Sequence, residues 1–194
     1  MGSRQKKARR LNAWIVFLDE AGFVMAPLLR RSWSLRGRTP PLYHRTRHHR
    51  KLSAIATLCL PPERAGVHCL FRLYPDQNID ALRVIEFLRA LLHQLQGPIV
   101  LLWDSLKAHR ARLTKAFLAR QPRIHLVVLP TYAPEPNPVE YLWSDAKLGE
   151  LANFAPADLD TLIVKTRQTL RSIQRHPPRL RSLLAHSPLS LRLK

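Results

Sequence analysis

The sequence predicts an α/β fold: a mixed five-stranded sheet flanked by helices. Two observations carry this prediction. Five short apolar runs lack helical spacing, and three of them follow one another before the first amphipathic stretch. Thereafter helix and strand alternate, the order that builds parallel strands, whereas three strands in series build an antiparallel meander.

The runs are AWIVFL at 13–18, LSAIATLCL at 52–60, GVHCLFRLY at 66–74, PIVLLW at 98–103 and IHLVVL at 124–129. PIVLLW does not alternate, as expected of a strand covered on both faces. Between the first two runs, 27–51 is rich in Arg, His and Pro and reads as an exposed basic excursion, with a short strand near 32–35.

The first helix is expected over 78–96. Ile79, Leu82, Ile85, Leu88, Leu91, Leu92 and Leu95 recur at three and four, with Asn78 as N-cap and Gly97 past the end. A weaker stripe of Leu106, Leu113, Phe117 and Leu118 places a second at 106–120. The third starts after Asn137 as N-cap, with Pro138 at the first helical position and Glu140 at the third. The fourth covers 158–175, and one more short turn fits 179–186. The division expected is a basic arm at 1–12, one domain at 13–175 and a basic tail at 176–194.

The 32 Lys+Arg against 13 Asp+Glu give a net charge of +19. Residues 1–51 alone hold 13 Lys+Arg against Asp19 and Glu20. Such a balance points to a polyanionic partner. The apolar run near the start is cut by Asp19 and Glu20 far short of the roughly 20 residues that span a bilayer. A soluble, cytoplasmic, nucleoid-associated protein without a membrane partner is expected. Cys59 and Cys69 read as two free, packed thiols, with a disulfide and a metal pair as weaker alternatives.

Three acids stand at structural junctions: Asp19 after WIVFL, Asp104 after PIVLLW, and Glu140 at a helix start. Sites in open α/β sheets lie beyond the carboxyl ends of strands. Two acids there can share a metal ion if their strands are neighbours, and carboxylates suit hard divalent cations. The prolines at 130, 134, 136 and 138 stiffen the approach to Glu140. Local alternatives remain at this point. Glu140 can be the capping-box partner of Asn137, and Asp104 can be a helix cap.

Other acids compete. Glu20 points to the opposite face if the strand continues, Glu135 lies in the Pro-rich loop, and Asp145 is rotated by about 140° from Glu140 around the helix. His109 has three readings: an approach to the acids, a DNA-phosphate contact, or a solvated helix histidine. Trp33, Trp103 and Trp143 read as core or loop-packing residues rather than base-stacking platforms.

The segments FLDEAGF, RRSWSLRGRTP, VLLWDSLKAH and LPTYAPEPNPVEYLW together resemble the DDE transposases of the mariner-like superfamily, in particular its bacterial insertion-sequence branch. The last segment matches the family pattern at Pro130, Tyr132, Pro134, Asn137, Pro138, Glu140 and Trp143, with Thr131 and Ala133 as changes. The 35 residues between Asp104 and Glu140 also fit. The resemblance covers about 13–175 and implies a ribonuclease-H-like fold. Asp19, Asp104 and Glu140 fall on the catalytic, metal-holding acids, and His109 falls on the histidine that often follows the second.

It further implies two Mg²⁺ (or Mn²⁺) ions, and DNA cleavage and strand transfer at transposon ends. The cations Arg30, Arg31, Arg36, Arg38, Arg45, Arg47, Arg50 and Lys51, with His109 and Lys147, are then expected on DNA phosphates, against the alternative of a solvated charged face. Ser105 stands where the family usually has Asn. Only 18 residues precede Asp19, too few for the family's paired helix-turn-helix modules, so a separate DNA-recognition protein is expected as partner, with a homodimer on DNA. The competing functions are a non-catalytic DNA-binding remnant and a ribonuclease-H-like nuclease acting on other nucleic acid.

Overall fold

A computed structural model describes residues 11–38, 41–42, 50–104, 107–129 and 137–187. Five strands form one sheet: β1 (Trp14–Val24), β2 (Lys51–Leu60), β3 (His68–Pro75), β4 (Ile99–Trp103) and β5 (Ile124–Val128). Their order is β3-β2-β1-β4-β5. The pairs β1/β2 and β2/β3 are antiparallel, and β1/β4 and β4/β5 are parallel. The expected mixed sheet is therefore present, and the strands bearing Asp19 and Asp104 are neighbours.

The helices are α1 (Ala81–Gln94), α2 (Lys107–Arg110), α3 (Arg112–Ala119), α4 (Pro138–Leu148), α5 (Leu159–Gln174) and α6 (Pro177–Ala185). Two apolar layers sandwich the sheet. On one face Ile15, Phe17 and Phe23 of β1 pack with α4, α5 and α6 through Leu142, Trp143, Leu170 and Leu180. On the other, Val16 and Leu18 pack with Val84, Phe87, Leu88 and Leu91 of α1. Cys59 belongs to the second layer and Cys69 to the first, so the two buried free thiols face opposite sides of the sheet.

Several elements differ from the sequence reading. β1 does not stop at Leu18; pairing with β2 runs on to Val24 opposite Lys51. Pairing with β4 ends at Phe17 opposite Leu102. Asp19 thus sits inside a strand, but just past the point where that strand loses its parallel neighbour. The first helix is capped by Asp80, whose Oδ1 accepts from Arg83 N at 2.9 Å, not by Asn78.

The single helix expected at 106–120 is broken at Ala111, with φ −58° and ψ 143°. Thr114 Oγ1 donates to the carbonyl of Ala108 at 2.7 Å, satisfying an acceptor that the break would orphan. No strand forms at 32–35; Leu28 makes an isolated parallel bridge with Ala152 instead. Trp33, expected to pack, is fully exposed, whereas Trp103 and Trp143 are buried. The short turn expected at 179–186 is present within α6, and its Leu180, Leu183 and Leu184 join the core.

Candidate active site

The three acids converge at the notch where β1 outruns β4. Continuing the β1/β4 register by two residues sets Asp19 level with Asp104, which follows the last residue of β4. Glu140 reaches the same place from the first turn of α4. Asn137 builds that approach. Its Oδ1 accepts from Val139 N at 3.2 Å, which caps the helix, and its Nδ2 donates to the Leu18 carbonyl at 3.2 Å, which ties the helix start to β1 beside Asp19. Asn137 therefore caps α4 through Val139, and the Glu140 carboxylate is exposed beside the other acids.

One helical turn after Glu140, Trp143 packs edge-on against Phe23 at 6.0 Å and donates its Nε1–H to Asp19 Oδ2 at 2.9 Å. Lys147 lies one further turn along, with its ammonium 5.2 Å from the Phe23 ring centroid. Glu140, Trp143 and Lys147 at i, i+3 and i+7 form one face of α4, laid along Asp19 and Phe23 on one face of β1.

The electrostatics follow from this crowding. Burial, then the charges of Glu140 and Glu20, push the Asp19 carboxyl up from 3.8 to about 8, against the lowering effect of the Trp143 hydrogen bond; Asp104 adds to the rise. Glu140 is raised by desolvation and by Asp104, with Lys147 opposing. Lys147 is lowered by desolvation, while Glu140 and Asp19 support its charge. Mutually repelling carboxylates are the donor set that a hard divalent cation relieves, and the charges of Glu140 and Asp104 both bear on Asp19. Among the described residues, the ligand atoms that already lie within 4.8 Å of one another are those of Glu20, Asp104 and His109.

Glu20, assigned to the opposite face, is there. Its Oε1 lies 2.7 Å from Nε2 of His109, whose Nδ1 is 3.0 Å from Asp104 Oδ1 and 3.1 Å from the Asp104 carbonyl. His109 is buried and stacks on Trp103, ring centroids 4.1 Å apart and planes within 4°. The readings of His109 as a phosphate contact or a solvated helix residue are therefore corrected: its ring is enclosed by protein. Desolvation lowers its pKa, but the hydrogen bonds it donates to Asp104 and Glu20 outweigh that and raise the ring from 6.5 to about 10. Asp145 is also removed from the candidates, because Arg179 Nε holds its Oδ2 at 2.6 Å.

The expected DNA-binding cations divide. Arg31, Arg36 and Arg38 are exposed on the excursion. Arg30 is exposed too, but its Nη1 bonds the carbonyl of Leu148 at the end of α4, and its backbone N–H bonds Asn153 Oδ1 at 2.7 Å. Arg50 has an acidic partner, Asp76, at 2.8 Å, so it is not the unpartnered charge that the sequence suggested, whereas Lys51 bonds the neutral amide of Asn78. Arg45, Arg47, Glu135, Ser105 and most of the Pro-rich loop lie outside the described residues.

Sequence reasoning missed three contributors: Asn137 as a tether, Trp143 as a hydrogen-bond donor, and Glu20 as the partner of His109. The signal for the first two was their position three residues either side of Glu140. No local signal could pair Glu20 with a histidine 89 residues away.

No curated protein sequence matches the chain. Among solved structures, the Mos1 mariner paired-end complex with Mn aligns at a TM-score of 0.58 and 19% identity, over 98% of this chain and 60% of that one. A pre-cleavage Mos1 transpososome aligns at 0.60 and 17% identity, over 96% and 60%. The catalytic domain of Mos1 mariner transposase aligns at 0.52 and 17% identity, over 98% and 89%. The chain thus spans about 60% of the length of the Mos1 chains in those complexes. These likenesses establish the ribonuclease-H-like fold. Among the described residues no helix is long and apolar enough to cross a membrane. Residues 14–163 match the DDE superfamily endonuclease family, and the chain belongs to it.

Proposed function

We propose that the chain is the catalytic part of a DNA transposase, cutting and joining DNA strands at transposon ends with Asp19, Asp104 and Glu140 as its catalytic acids. The observation that carries this reading is the convergence of three carboxylates from β1, β4 and α4 at one notch of a strongly basic protein.

The three side chains would hold two Mg²⁺ or Mn²⁺ ions, which when bound activate the attacking oxygen and stabilise the leaving oxygen of a phosphodiester. The chain's own residues do the positioning. Trp143 fixes one oxygen of Asp19, leaving the carboxylate a single orientation. Asn137 fixes the helix that carries Glu140. Lys147, one face along from both acids, would meet a scissile-strand phosphate, and Arg31, Arg36 and Arg38 would grip the backbone without reading sequence. Synapsis of two ends is assigned to a homodimer. Support for DNA as substrate comes from the family and from the Mos1 complexes with transposon ends.

The test is nicking of supercoiled plasmid in Mg²⁺ by wild type and by Asp104→Asn. Loss of nicking with the fold retained is expected. Undiminished nicking by the variant would refute the assignment, and DNA binding without any nicking in the wild type would favour a non-catalytic remnant.

A further inference from the structure

Glu20 is an unusual residue to bury. Its side chain is 9% exposed in β1, on the face away from Asp19, and Oε1 is used by His109 while Oε2 meets no hydrogen-bond partner among the described residues. A buried carboxylate oxygen left without a hydrogen bond is destabilising. Buried ion pairs are often no more stabilising than packed apolar groups of the same volume. The arrangement is therefore poorly suited to serve stability alone.

Its geometry has a direction. Glu20 is held in the sheet opposite Ile55. From that fixed point it holds the imidazole of His109, which has no room to swing because it is 1% exposed and lies flat on Trp103. The far side of the same ring meets both the carbonyl and the carboxylate of Asp104. Asp104 needs such support: it follows the last residue of β4, beyond the final β1/β4 pair at Leu102, with its side chain 42% exposed.

We propose that Glu20 is a positioning residue which, through His109, sets the backbone and carboxylate of Asp104 for metal binding. The inference rests on the reading of Asp104 as a metal ligand. Two consecutive residues of β1 then serve one site from opposite faces of the sheet: Asp19 as a ligand, and Glu20 by fixing the second ligand from behind.

Metal ligands are commonly oriented by partners whose loss costs about ten- to a hundredfold in metal affinity or activity. Glu20→Gln and His109→Ala should each lower Mn²⁺ affinity, measured by electron paramagnetic resonance of the free ion without DNA, and the single-turnover nicking rate by about that factor. Plasmid affinity should stay within about twofold, since the phosphate contacts lie elsewhere. The double variant should be no worse than either single one, because the two residues act in series. Unchanged Mn²⁺ affinity in folded Glu20→Gln would overturn the proposal, as would losses that multiply.

A measurement on the wild type needs no variant to fold. Nitrogen-15 spectra of labelled histidine should show the ring signals of His109 shifting when Mg²⁺ is added to the EDTA-treated protein. No response would leave His109 unconnected to the metal and overturn the proposal. If wild-type Mn²⁺ binding is untouched by Asp104→Asn, it is the catalytic reading itself that fails.

Discussion

Replacing Asp19 by Asn should inactivate the protein and stabilise it. Burial and the neighbouring acids hold this carboxyl up at about 8 instead of 3.8. Between those values the metal-free folded protein keeps a proton that the unfolded chain gives up. The unfolded state therefore gains as pH rises, and the native state loses stability from pH 3.8 until about pH 8. Each unit is about 1.4 kcal/mol, so at pH 7, some three units above 3.8, the burden approaches about 4 kcal/mol as an upper bound. Asn carries no such burden, and its Oδ1 can still accept from Trp143. For a domain of this size that is on the order of 10 °C in melting temperature. The assay is thermal unfolding of both proteins in EDTA at pH 4, 5.5 and 7. The two should melt together near pH 4 and diverge steadily above it. A difference that does not grow with pH, or a variant less stable than wild type at pH 7, would refute the account of a crowded, desolvated carboxyl.

Other consequences are as direct. Mn²⁺ must displace the proton on Asp19, so its affinity should rise by up to about tenfold per pH unit and level off near pH 8; a flat profile in a titration from pH 6 to 9 would exclude Asp19 as a ligand. Trp143→Phe removes a contact that lowers the Asp19 pKa and a buried bond to a carboxylate at 2.9 Å. The pH profile of nicking should move to higher pH, and stability measured above pH 8 should fall by about 1.5–3 kcal/mol. Both thiols are pushed up to about 12 by burial, so a thiol reagent at pH 8 should label neither cysteine in the native protein and both in denaturant.

What the sequence revealed and what it hid have different physical origins. Strand order and sheet type were legible because they follow from local periodicity and connection rules, and α4 because Asn137 and Pro138 mark its start within four residues. The Asp19/Asp104 adjacency was an assumption that the β1/β4 register supports. The end of β1 was misread because Asp19 and Glu20 look like strand terminators. Their backbone is satisfied by β2, a segment more than 30 residues away, and no local pattern announces that. The same reason hid the burial of His109. A helical histidine in a polar stretch looks solvated until Glu20 and Trp103 close over it. Charge counting likewise overstated the basic face, since Arg50 finds Asp76 and Arg30 turns back onto Leu148.

The central claim is that Asp19, Asp104 and Glu140 make one divalent-cation site. Anomalous scattering from Mn²⁺-soaked crystals tests it most directly. The account predicts density between these three carboxylates, with Glu20 and His109 behind it and not bonded to it. Mn²⁺ bound only at Glu20 and His109, or none near Asp19, would contradict it.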